Sequence, residues 1–209
     1  MRSGGLRRAA VLLAVVATGC AGPVESAIPS ATTAASPSPA GSASEPSATG
    51  SASPSGPTIV VDDRLLDVLP AQVDGIDLVS DPATAAGIAS DPALATTASA
   101  IAVALAVAPD ASTGDDIAVV SVVQLRPDVF GDAWYRAWRD TYDDAACAAA
   151  GGVTGNAQAE IGGHDTYIGT CVQGAFTYHV YLEDLDRLVS ITSAGDRRLG
   201  ERIVSGLGE

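Results

Sequence analysis

The sequence predicts an α+β fold for residues 58–209: a mainly antiparallel sheet packed with helices, αβα sandwich-like, in a single domain. Three observations predict it. "AIAVALAVAP" alternates Ile101, Val103, Leu105 and Val107 with Ala100, Ala102, Ala104 and Ala106, the two-residue period of a strand. "DAWYRAWRDTYDDAACAAAGG" places Trp134, Trp138, Tyr142 and Ala145 on one face of a 3.6-residue period. Beyond Gly152, short β-rich segments are separated by glycine-bearing turns, as in a meander.

The chain before that domain has two parts. Residues 1–19 have the layout of an export signal: Arg2, Arg7 and Arg8, then the apolar Ala9–Val16, then Ala17-Thr18-Gly19 directly before Cys20. The apolar run is shorter than the ~20 residues a membrane-spanning helix needs. Small residues delivering a thiol resemble the lipobox of bacterial lipoproteins, although Ala17 stands where that pattern most often has Leu. The resemblance covers residues 1–20. It implies a cleaved signal peptide, diacylglycerol on the sulfur of Cys20, and a mature protein held on the outer face of the cytoplasmic membrane or at the cell surface. Without that resemblance, the layout reads as an ordinary secreted protein. Two acyl chains anchor stably where one holds marginally. Residues 20–57 follow as the lipidated cysteine and a tether of Ser, Ala, Thr, Pro and Gly without aromatic residues, which cannot bury enough surface to offset its ordering entropy. As flexible coil it spans roughly 35 Å, and as polyproline helix up to about 110 Å.

The domain opens with an entry turn at Val68-Leu69-Pro70 and a short strand over Gly75–Val79. Asp81-Pro82 and Asp91-Pro92 each pair a preferred cap with a proline suited to the first helical position, predicting two short helices. The alternating strand at 100–107 then presents bulky residues on one face and alanines on the other, where a helix can approach closely. Pro109–Asp116 reads as a hairpin loop leading to Ile117–Leu125, whose valines on both faces suit a central strand. The long helix follows, capped by Asp132 and ended by Gly151-Gly152, with Arg136, Arg139, Asp140 and Asp143 facing water as i,i+4 pairs. Strands at Ala157–Ile161, Asp165–Cys171, Ala175–Leu182 and Arg187–Ser193 come next. Leu199, Ile203 and Leu207 mark a terminal helix. This element order over residues 65–207 resembles the PsbP-like lipoproteins, which implies an αβα sandwich with an accessory, mostly non-enzymatic role. No residue motif accompanies the resemblance, so it assigns no functional residue.

Charge and cysteine usage bound the chemistry. The chain carries a net charge of −14, no lysine and one asparagine, Asn156. Loss of Lys and Asn in favour of Arg, Ala and Gly matches GC-rich codon usage and points to an actinobacterial type of source. Without Arg2, Arg7 and Arg8, eight arginines face 25 acids, a net of −17. That balance argues against a nucleic-acid partner. Cys147 and Cys171 are the thiols left once Cys20 is lipidated, and an even pair in an oxidising compartment most simply forms a disulfide. A catalytic Cys with His164 or His179 is the alternative use. No CxxC or HxxxH spacing supports a metal site, and no cofactor is implied.

Each remaining candidate has a plain reading beside a functional one. "PDASTGDD" spaces Asp110, Ser112, Gly114 and Asp116 as in a Ca²⁺ loop, but Ser121 stands where the bidentate Glu belongs. His164 and Asp165 are strand neighbours pointing to opposite faces. His179 shares a strand face with Ala175, Thr177 and Tyr181 and lines either a cleft or solvent. Glu183, Asp184 and Asp186 form an acidic turn. GxSxG, SxxK, Walker A, HExxH and GxGxxG are absent from the sequence. The function expected is therefore a surface-tethered, non-catalytic envelope lipoprotein that binds a protein or small-molecule partner. A cleft between the sheet and the helix, lined by Trp134, Trp138 and His179, is the place for a small ligand, although the tryptophans also suit the core. The alternative is an extracytoplasmic hydrolase using acidic residues.

Overall fold

A computed structural model describes residues 56–108 and 116–208. Its centre is an eight-stranded mixed, mostly antiparallel sheet. Six of its strands are seven to ten residues long, among them β5 (Ala98–Val107), β6 (Ile117–Leu125), β9 (Phe176–Leu182) and β10 (Arg187–Ala194). With β7 (Val153–Ile161), β8 (His164–Cys171) and β1 (Val60–Val61) they run in the order β1-β5-β6-β10-β9-β8-β7, and β4 (Val79–Ser80) pairs with β5. The chain is thus α+β, as the sequence predicts. The meander runs backwards, so that its last strand lies beside β6 along the full register Arg187↔Gln124 to Ala194↔Ile117. β6, with valines on both faces, is interior.

Helices cover both faces. On one face Ala102, Ala106, Ala118, Val120, Val122, Val189, Ile191, Tyr178 and Val180 meet a 3-10 helix (Asp63–Val68) and α3 (Leu199–Ser205), through Leu65, Val68, Leu199, Ile203 and Val204. The alanines of β5 admit the 3-10 helix at close range. On the other face Ile101, Val123 and Leu125 meet Ile88 and Ala89 of α1 (Pro82–Ala89) and Trp134 and Trp138 of α2 (Asp132–Ala148). Burying one such aliphatic side chain contributes roughly 1.5–3 kcal/mol, so these two layers hold the sheet. Among the described residues no helix is long and apolar enough to cross a membrane.

Local chemistry explains where the elements depart from expectation. Asp81 caps α1, accepting from the Thr84 N–H at 3.0 Å with Pro82 inside the first turn. Asp91 makes the equivalent bond one residue short, to the Ala93 N–H at 2.8 Å, and closes a 3-10 turn (Leu94–Thr96) in place of a second helix. The predicted strand at Gly75–Val79 divides in two. β2 (Gln72–Val73) and β3 (Ile76–Asp77) form a separate hairpin through Asp74 and Gly75, both at positive φ, a turn that Asp-Gly favours. Leu78 then leads into β4. α2 starts with Asp132 as its first helical residue and Gly131 at the cap, without a side-chain cap bond. β7 begins at Val153, four residues earlier than predicted.

A disulfide joins Cys147, in the last turn of α2, to Cys171, at the end of β8. Both cysteines are buried beside Ala175. In the chain-entropy view such a link restricts the unfolded chain. Replacing both cysteines by serine is expected to lower the unfolding free energy by about 3 kcal/mol, read from urea denaturation. A loss under ~1 kcal/mol would mean that packing alone holds the end of α2.

Candidate functional site

The half of the sheet under α2 is polar. Cross-strand register lines up Ser121 on β6, Ser190 on β10, His179 on β9 and Tyr167 on β8 as direct neighbours on one face. The next row holds Thr192, Thr177 and Gly169. Alternation along each strand sends all of them toward the helix. α2 answers with Asp143, which is buried rather than facing water.

Asp143 is the hub. Its Oδ1 accepts from Thr177 Oγ1 at 2.5 Å and lies 2.9 Å from His179 Nε2. His179 Nδ1 lies 3.0 Å from Ser190 Oγ. With the ring proton on Nε2, every bond is satisfied: the hydroxyl of Ser190 donates to Nδ1, the imidazole donates to the carboxylate, and Thr177 donates to the same carboxylate. Room for the carboxylate comes from Gly169. A Cβ at that position would overlap Asp143 Oδ2 and Thr177 Oγ1.

Aromatic residues close the surround. Tyr142 sits edge-on to the imidazole with centroids 4.9 Å apart, and its hydroxyl lies 3.1 Å from Thr192 Oγ1. The Tyr135 hydroxyl donates to the His179 carbonyl at 3.1 Å. Burial pushes the Tyr135 phenol up to about 12, opposed by the Arg139 guanidinium. Arg139 lies over the Tyr167 ring at 3.6 Å. It pairs with its neighbour Asp140, Nε to Oδ1 at 3.5 Å, and not with Asp143 as the i,i+4 spacing suggests. A cation over an aromatic face accounts for its inward lean.

Asp143, His179 and Ser190 carry the residue types and bond order of a hydrolytic triad. Their setting is different. Ser190 and His179 are 1% and 0% exposed, on adjacent strands inside the ladder, and α2 lies directly over them. A triad serine must face a substrate carbonyl, with hydrogen-bond donors about 3 Å from the developing oxyanion. Here the serine faces an imidazole under a helix. The arrangement can orient α2 on the sheet; it offers no place for an acyl group.

The remaining predicted residues are placed as follows. Trp134 and Trp138 are half-buried, stacked with centroids 5.7 Å apart, and packed on the Ile101/Val123 cluster. His179 lies between α2 and the sheet, so it lines neither solvent nor an open cleft with the tryptophans. Asp116 is buried and accepts from the Arg197 N–H at 2.9 Å; residues 109–115 of the same loop, Asp110, Ser112 and Gly114 among them, fall outside the described residues. Cys20 and the tether up to residue 55 also fall outside. Asp186 accepts from the Tyr181 hydroxyl at 2.8 Å, fixing the acidic turn. Among the described residues no group of three or more His, Cys, Asp or Glu is placed to hold a metal ion. One open hollow of about 330 Å³ lies at the start of α3, lined by Ile161, Asp196, Arg198, Glu201, Arg202 and Ser205 among others. Its cations are engaged: Arg198 pairs with Glu201 and Arg202 with Asp74. No protein-family model, curated protein or solved structure matches this chain.

Removing the hub should be costly. Asp143→Ala leaves His179 and Thr177 without their acceptor and is expected to destabilise by ~3–5 kcal/mol, and Gly169→Ala by ~1–3 kcal/mol through overpacking, both read from urea denaturation. The raised Tyr135 phenol gives a pH signature. Below the unfolded value of 10.0 its contribution is fully present; it is lost as pH rises through about 12, because the unfolded chain releases the proton first. Tyr135→Phe should therefore flatten the fall in Tm between pH 10 and 12, with wild type compared at each pH.

Proposed function

We propose that this chain is a lipid-anchored, non-catalytic protein of the outer face of the cytoplasmic membrane or the cell surface, whose α+β domain binds a partner in the cell envelope. The observation that carries the non-catalytic part is the mutual hydrogen bonding of Asp143, His179 and Ser190 in a buried layer. The constellation that most resembles a reacting site has its donors and acceptors matched to one another beneath α2. The anchor rests on the signal layout ending at Cys20, and the reach on the Ser/Ala/Pro tether that follows. The buried disulfide fits an oxidising compartment. A protein partner is favoured over a small molecule because the cations at the one hollow described above are engaged by neighbouring carboxylates.

Two measurements test the reading. The full chain should partition with membranes and incorporate labelled fatty acid, and Cys20→Ala should abolish both; equal labelling of the variant overturns the anchor. On a panel of ester, peptide and glycoside substrates the protein should show no turnover. Hydrolysis that disappears in Ser190→Ala would overturn the non-catalytic assignment.

A further inference from the structure

The two edges of the sheet are finished differently. The outer edge of β5 is covered twice, by β1 pairing Val60 and Val61 with Ala100 and Ile101, and by β4 pairing Val79 and Ser80 with Leu105 and Ala104. The Asp62 and Asp81 N–H groups donate to the Ile101 and Val103 carbonyls along the same edge. Short covering strands are a common protection against edge-to-edge pairing. β7 has none. Among the described residues β8 is its one strand partner, and Val153 through Glu160 are all exposed. Its sequence, VTGNAQAEI, contains no proline or lysine and a single charge, Glu160, in a chain of net charge −14.

We propose that β7 docks a second copy of this chain, the two β7 strands pairing antiparallel about a two-fold axis at Gln158. The register follows from the strand itself. Pairing with β8 is irregular between Val153 and Gly155 and regular from there to Ile161, and Gln158 is the midpoint of the regular part. About that midpoint Ala157 meets Ala159 of the partner subunit, Gly155 meets Ile161 of the partner subunit, and Asn156 meets Glu160 of the partner subunit. The one carboxylate therefore faces a carboxamide donor. The two Glu160 side chains stand four residues apart along the ladder, about 14 Å, which exceeds the screening length of roughly 8 Å at physiological salt. Seven paired residues supply roughly six to eight main-chain hydrogen bonds. A strand so free of like-charge conflict with itself is the acidic domain's natural contact with its own copy. The inference stands apart from the anchor, since an unanchored chain would present the same edge.

The test uses the full chain in cells, treated with a short bis-maleimide, with wild type as the background for Cys20. Gln158→Cys should yield a covalent dimer, as should Asn156→Cys combined with Glu160→Cys. Thr154→Cys, whose two copies would lie about 27 Å apart in this register, should give no more dimer than wild type. All four positions are exposed, so the substitutions leave the core intact. A monomeric band for Gln158→Cys overturns the proposal, as does equal crosslinking from Gln158→Cys and Thr154→Cys. Crosslinking to a product of another mass overturns it in favour of a foreign strand at the same edge.

Discussion

A carboxylate withdrawn from water must be given hydrogen bonds in return, and the layer between α2 and the sheet is arranged around that demand at Asp143. Thr177 and His179 supply the donors, Ser190 completes the imidazole, and Gly169 supplies the space. The same requirement fixes α2 in rotation and in height. Turned to bring the tryptophans further in, the helix would carry Asp143 away from its partners. Slid by a turn, it would bring Arg139 or Cys147 over His179. Apolar packing on the Ile101/Val123 cluster tolerates small shifts, whereas a charge with matched donors does not. Polar specification of this kind need not add net stability over a well-packed apolar layer. What it adds here is a single seat for the helix.

The disulfide acts at the same place. Cys147 follows Asp143 by one helical turn, so its bond to Cys171 ties down the segment that carries the carboxylate. Cys171 ends β8, the strand that also carries Tyr167 and Gly169. Link and hub therefore share both partners, one helix end and one strand. The opposite face has neither device: there the alanines of β5 meet the 3-10 helix, and β9, β10 and β6 meet the aliphatic residues of α3.

Most of the fold was legible because it obeys simple periods. Alternation in β5, turn glycines at Gly162-Gly163, and leucine and isoleucine at four-residue spacing in α3 each specify an element from local chemistry. The two-residue strands β1 and β4 were not legible, since pairing to β5 and not their own sequence makes them strands. The hub was half legible. Thr177 and His179 on β9, with Ser190 and Thr192 on β10, form polar pairs at a period of two on interior strands; such a run requires a polar counterpart on whatever covers it. The apolar stripe Trp134-Trp138-Tyr142 and the i,i+4 spacing of Arg139 to Asp143 pointed the carboxylate to water. A helix face chosen from apolar residues alone will misplace an acid whose partners lie on another element, because the pairing is non-local.

That Asp143, His179 and Ser190 meet in this order follows from the register of the sheet. His179 and Ser190 are direct cross-strand neighbours, and side chains directly opposite in an antiparallel pair meet on one face. Asp143 reaches them from the helix that any αβα arrangement would lay over that face. A reacting triad holds its serine on a turn or loop where a substrate can approach, with the base behind it. Here the serine is held in the middle of a ladder, and the helix occupies the side from which a substrate would come. Opening it would require lifting α2 against the disulfide, the buried carboxylate and the tryptophan cluster together. At the periphery the constraint is different: the outward main-chain groups of β7 have water as their alternative to a partner strand.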